Sequence, residues 1–354
     1  MRSLPLIPIL VACGGHSAAP PDATMDAQAD AAIDAPVDAP PGLPLGTVVA
    51  TPMTCDPNAQ AGATCTQLAV TCGGTTLDGY IAVSSPAGAA IGTITLHDGG
   101  AGTGYFGSGS TGLVASFVAR GYRVVQLAWS ATWQVSGLGA RHAACLPATA
   151  YRWIYDNVHA VGTSQAFCGA GTSGGGATLG YALSAYGLDT IFDYAMIISG
   201  PAVAKMDVGC DVADYTGPAP AFCPEIPDPV TPLPAGAIDS IESTKTCSCT
   251  TPGCVDPAEK TIWAADSIVT AGASYAYPHT EMSFWFCGNQ TPPNGSSGGG
   301  AFYYDAVSKT AGNDVSIHCY TGTGSPCSGE QVFEDPKALS DAIAAMTAGC
   351  TPRH

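Results

Sequence analysis

Apolar and polar positions from about residue 79 onward switch repeatedly between two periods. Tyr80 to Val83, Ile91 to Leu96, Tyr122 to Leu127, Tyr194 to Ser199, Glu281 to Phe286 and Val315 to Tyr320 are short apolar runs of strand length. Between them lie stretches with one-face helical spacing. Leu113 to Ala119 closes at Gly121, and Tyr151, Ile154, Tyr155 and Val158 follow Pro147. Leu179, Leu183 and Tyr186 precede Gly187, a helix is expected from about Ala301 to Lys309, and Leu339, Ile343 and Met346 lie between Asp335-Pro336 and Gly349. Apolar positions at i, i+3 and i+4 form one helix face, whereas runs of four to eight apolar residues bounded by glycine or proline suit buried strands. Strand and helix in alternation predict an α/β protein, a mostly parallel twisted sheet with helices on both faces.

The pattern fails in two places. Residues 47 to 78 hold Cys55, Cys65 and Cys72 with little periodicity, which predicts an irregular, disulfide-pinned start to the domain. From about 201 to 280 the chain is rich in proline, carries five cysteines and offers one helix, near Glu259 to Val269. A segment of that length without periodicity in a compact domain is usually functional, and it reads as a cap inserted into the sheet domain.

The first 46 residues belong to neither pattern. Leu4 to Ala12 is apolar behind Arg2 and ends at Leu10-Val11-Ala12-Cys13, which resembles a bacterial lipoprotein signal whose cysteine is acylated. A plain secretory leader is the alternative, and nine residues are too few to cross a bilayer, which takes roughly 20. Residues 14–46 are mostly Ala, Asp and Pro, with Asp22, Asp26, Asp30, Asp34 and Asp38 at four-residue intervals. Such a segment repels itself and buries nothing, so a disordered tether reaching ~30 Å is expected. The three parts are therefore a signal over 1–13 ending at Cys13, a tether over 14–46 and a domain over 47–354 held at the bacterial cell envelope by its lipid.

Net charge is −17 over the chain, and residues 47–354 carry 23 acids against 10 bases. That balance excludes nucleic acid and acidic lipid surfaces as partners, leaving the N-terminal lipid as the contact with a membrane. Setting Cys13 aside leaves fourteen cysteines, up to seven disulfides in an exported protein. Cys247, Cys249 and Cys254 are dense enough for zinc but lack a well-spaced fourth ligand, so disulfides are expected there, and no metal or cofactor is called for.

The chemistry centres on Phe167 to Gly187, where an apolar run meets Gly171-Thr172-Ser173-Gly174-Gly175 and continues as a helix. A serine on so sharp a strand-to-helix turn needs tiny neighbours two places to either side. A second G-x-S-x-G, Gly295 to Gly299, follows Pro292-Pro293-Asn294 instead of a strand and reads as a loop. The first resembles the nucleophile elbow of α/β-hydrolase serine enzymes. His97-Asp98-Gly99-Gly100-Ala101-Gly102 after the strand at Ile91 resembles the loop that supplies an oxyanion donor there, except that Asp98 departs from the H-G-G-G pattern. The resemblance runs from about 79 to 349 and implies the α/β-hydrolase fold. It also implies Ser173 as nucleophile, with N–H groups of Gly174 and of Gly99 or Gly100 as donors to a developing oxyanion.

Family order places an acid and then a histidine after the nucleophile, because a serine hydroxyl needs an oriented base. At the acid position stands Gly288-Asn289-Gln290-Thr291, and the loop from Thr321 to Glu334, where the histidine belongs, has none. Candidate substitutes are His142 as base, Glu330 at the expected histidine position, and Asp207 or Asp211 as acid. His279 and His159 fall at the wrong end of the sheet, and His318 inside a strand. Two functions remain open: an envelope-anchored serine hydrolase acting on a small or polymeric ester, and a degenerate hydrolase-fold protein that binds a ligand or partner. Oligomeric state is not legible.

Overall fold

The computed structural model describes residues 42–107, 112–220, 222–224, 230–247, 249, 251–288, 295–321, 327 and 331–354. Cys13, Glu330, the signal, most of the tether and Asn289 to Thr291 lie outside them.

Nine strands form one sheet in the order β1-β2-β3-β5-β4-β6-β7-β8-β9. They are β1 (Thr47–Met53), β2 (Thr64–Cys72), β3 (Thr75–Ser84), β4 (Gly92–His97), β5 (Arg123–Trp129), β6 (Ala166–Thr172), β7 (Tyr194–Ile198), β8 (Glu281–Cys287) and β9 (Val315–Tyr320). Strands β4 to β9 pair in parallel, while β1, β2 and β3 add an antiparallel edge against β5. Neighbouring residues in the central strands face opposite layers, as the pleat requires. Val125, Phe167, Ile197 and Phe284 enter one core; Val124, Cys168, Met196 and Trp285 enter the other. Because both faces are covered, these strands are apolar runs without alternation.

Helices α1 (Leu113–Ala119) and α9 (Pro336–Gly349) cover the second layer. The first is covered by α3 (Cys145–Ile154), which follows the one-turn α2 (Ala140–Ala143), by α4 (Gly174–Ser184) and by α8 (Gly295–Ser308). The predicted limits of α1 and β9 hold to the residue, and α9 starts at Pro336 as expected but runs on through Gly349, the residue predicted to follow it. Asp335 caps α9 by accepting from the N–H groups of Lys337 and Ala338, with Pro336 first in the helix, which fixes the helix start. The cap holds α5 (Met206–Gly209), α6 (Ala235–Glu242) and α7 (Pro257–Asp266).

Residues 47–84 correct the expected irregular start: they form a three-stranded meander. In β2 Leu68, Val70 and Cys72 are buried in alternation, with Cys65 buried on the other face, a pattern disguised by Gln67, Ala69 and Thr71 between them. Residues 42–46 do not belong to the tether, since Leu43 N–H donates to Ala185 O at 2.7 Å and Gly46 N–H to Thr149 Oγ1 at 2.8 Å. The second G-x-S-x-G is no loop but the first turn of α8. Its last glycine, Gly299, and Gly300 after it serve packing, because a Cβ at either would collide with the backbone of Gly200 to Ala202.

Among the described residues six disulfides form: Cys55–Cys65, Cys72–Cys145, Cys168–Cys350, Cys210–Cys247, Cys223–Cys319 and Cys287–Cys327. Cys249 and Cys254 are free thiols, so the count stops one short of seven. Cys247 is taken by Cys210, which removes it from any metal cluster. No helix among the described residues is long and apolar enough to cross a membrane.

Candidate active site

Ser173 follows β6 directly and precedes α4, with φ 48° and ψ −110°. A non-glycine residue there costs on the order of 1–3 kcal/mol and persists only where its surroundings force it. Three close approaches do so here. A Cβ at Gly171 would collide with Gly175 O, one at Gly175 with His97 O, and one at Gly174 with Gly100 O. The turn is also pinned through Ser173 N–H, which donates to Ile198 O at 2.7 Å. Ser173 keeps 6% of its surface exposed, at the positive end of the α4 dipole.

The loop after β4 closes over this turn. Gly99 packs on it, its missing Cβ lying 3.3 Å from Ser173 Cβ. Its N–H donates to Asp98 Oδ1 at 2.8 Å, so Gly99 is already engaged. The N–H groups of Gly100 and Gly174 make no hydrogen bond among the described residues. Gly100 N lies 2.9 Å from where a Cβ of Gly174 would stand. Two unspent backbone donors thus flank Ser173, and of the two loop candidates Gly100 is the one at liberty. The Asp98 carboxylate is turned toward Gly104, where a Cβ would strike Oδ2.

His97 holds the assembly from beneath. Trp129 Nε1 donates to its Nε2 at 2.9 Å, so the neutral ring carries its proton on Nδ1, 2.7 Å from Thr178 Oγ1. Thr178 passes its own hydrogen to Gly175 O at 2.7 Å. Complete burial holds the ring neutral, its pKa lowered to about 3.

None of the six described histidines is brought to Ser173 as a base. His97 is consumed in that network. The exposed His142 lies on α2 beside Arg141, whose carbonyl accepts from Tyr186 Oη at 2.8 Å. Tyr186 stands beyond the far end of α4, about 18 Å along its axis from Ser173. His159 is bonded to Thr93 and Gly162, and His279 stacks on His354 with centroids 4.8 Å apart. His318 stacks on Trp285 at 3.9 Å, and burial lowers its pKa. Neither acid candidate is oriented toward a histidine: Asp207 pairs with Lys205 at 3.0 Å and Asp211 with Lys260.

A cleft of about 700 Å³ opens beside the turn. Gly99, Gly100, Thr172 and Ile198, which surround Ser173, form one wall; Phe106, Val332, Phe333 and Leu339 make much of the rest apolar, and Gln331 and Glu334 supply polar groups. Glu334 thus joins the site, through the short helical turn Val332–Glu334 ahead of α9. Nothing in the sequence distinguishes it from Glu330.

No family model and no curated protein matches the sequence. Solved structures do. An acylaminoacyl peptidase from Pyrococcus horikoshii superposes with a TM-score of 0.52 at 11% identity, over 88% of this chain and 43% of that one. Acetyl xylan esterase 1 from Thermoanaerobacterium sp. JW/SL YS485 gives 0.50 at 12% identity, over 84% and 87% of the two chains. This chain has the α/β-hydrolase fold. It spans less than half of the peptidase, and identities this low carry the architecture alone.

Proposed function

We propose that the chain is a serine hydrolase that cleaves a carboxylic ester or similar acyl bond through Ser173. The observation that carries this is the strained Ser173 turn with two unspent donors, Gly100 and Gly174 N–H, beside a cleft that Gly100 and Thr172 line. Ser173 Oγ attacks the acyl carbon, and the carbonyl oxygen takes the electron pair as an oxyanion between the two N–H groups. Collapse expels the alcohol and leaves an acyl-serine, which water then hydrolyses to the acid. A carboxylate of the loop before α9, with Glu334 on the cleft wall, takes the serine proton and returns it to the departing alkoxide. Support also comes from the two superposed structures, whose names are those of hydrolases of the same fold. The direct test is hydrolysis of p-nitrophenyl esters of increasing acyl length. Wild type turns them over and Ser173→Ala does not; equal rates from the two proteins remove the proposal.

The placement of every described histidine away from Ser173 favours a second reading, a degenerate hydrolase fold that retains a ligand without turning it over. Ester retained unchanged by wild-type protein selects it. The proposal includes attachment to the bacterial envelope through lipidated Cys13 and the tether. Mass analysis of the mature N-terminus checks it; an unmodified residue other than Cys13 removes the anchor.

A further inference from the structure

A second cavity, of about 770 Å³, lies on the other side of Asp98, which lines both spaces. Its floor is a row across three strands: Gln67 on β2 pairs with Tyr80 on β3, and Tyr80 with Ala128 on β5. Ala128 is one residue from the carboxyl end of β5, so the row lies at the rim that carries Ser173. Thr103 and Tyr105 wall one side, in the loop held down by Trp129 N–H donating to Gly102 O at 2.8 Å. Asp56 and Asn58 wall the other. Asp56 and Tyr80 stand close enough to Tyr105 to add to the rise in its phenol pKa that burial begins.

The two spaces differ in chemistry. Where the cleft at Ser173 is largely apolar, this groove offers two half-buried tyrosine rings among amide, hydroxyl and carboxylate groups. Flat apolar ring faces with side-chain donors and acceptors around them suit a molecule with apolar C–H faces and many hydroxyls at its edges. Asp56 and Asp98 repel anions, and the groove contributes no Lys or Arg among its lining residues to offset them. We infer that this groove holds a neutral saccharide, the alcohol side of the ester that Ser173 cleaves, with the acyl group in the apolar cleft. The inference rests on the hydrolase reading for its place in the reaction, and the groove's affinity can be measured without turnover.

The experiment uses the full chain carrying Ser173→Ala, titrated by calorimetry with neutral hexasaccharides of glucose, xylose and mannose and with a galacturonate hexamer. At least one neutral hexasaccharide binds and the acidic one does not. Added Tyr80→Ala or Tyr105→Ala weakens binding about tenfold, and Asn58→Ala, at an exposed rim position, weakens it with folding intact. No neutral sugar bound, equal binding of the galacturonate hexamer, or affinity unchanged in all three variants overturns the inference. If sugars bind but no ester is cleaved, the groove stands and the hydrolase reading fails; Ser173-dependent cleavage of simple esters without sugar binding gives the reverse.

Discussion

Trp129 Nε1 donates to His97 Nε2 at 2.9 Å, and this one bond settles the tautomer of the histidine nearest in sequence to the oxyanion loop. The indole N–H can only donate, so His97 Nδ1 must carry the proton toward Thr178 and through it brace Gly175. His97→Ala leaves buried Trp129 and Thr178 groups unpaired around a cavity and should cost ~3 kcal/mol in denaturant unfolding. A depressed histidine pKa contributes stability that is present above 6.5 and lost as pH falls through about 3. The wild-type stability curve should therefore fall between those values by up to ~1.4 kcal/mol per pH unit more than that of His97→Ala.

Gly174 and Gly100 meet where a side chain would not fit. Gly174→Ala drives a Cβ into the Gly100 carbonyl and displaces one donor, so kcat should fall about 10²-fold or more. The exposed Gly236 on α6 has nothing within 4 Å of a Cβ; Gly236→Ala is the control and should leave the rate unchanged. Ester hydrolysis by the two variants, beside their melting curves, decides this.

If a carboxylate and no histidine takes the proton, the rate carries no inflection in the histidine range near pH 6.5. His142→Ala, on exposed α2, should match wild type at every pH. A bell limb centred between pH 6 and 7 that His142→Ala abolishes would return the base to His142.

The cap carries its own titration. Glu242 accepts Ala140 N–H at 2.8 Å through Oε1, and its buried Oε2 faces Asp266. Burial, then that neighbour, raises the Glu242 pKa from 4.5 to about 8. A carboxyl raised in the fold contributes stability that is full below 4.5 and lost as pH rises through 8. Melting temperature should drop between pH 4.5 and 8 in wild type and less in Glu242→Gln, whose amide can still donate to Asp266. Parallel curves for the two proteins contradict the assignment.

Much of this architecture is legible in the chain because burial on both faces writes the parallel strands as apolar runs, and Asp335-Pro336 marks α9 by capping chemistry. The Ser173 turn is legible for the same kind of reason: Gly171 and Gly175 are required by contacts only that turn makes. The meander over 47–84 is not, because in β2 the half-buried Gln67, Ala69 and Thr71 alternate with Leu68, Val70 and Cys72 without a clear polar contrast. The start of α8 is masked by glycines that serve its packing on Gly200 to Ala202 instead of a turn. The proton acceptor stays illegible because Glu330 and Glu334 are two glutamates four residues apart in a stretch of sequence with no local pattern, and the groove at Tyr80 depends on pairing across three strands.

The central claim is that Ser173 Oγ is an activated nucleophile, and labelling by a fluorophosphonate followed by peptide mass analysis tests it most directly. A single adduct on the peptide holding Ser173, absent from Ser173→Ala and present at pH 6 to 9, is the predicted result. No adduct anywhere in that range, or one that persists in Ser173→Ala, contradicts it.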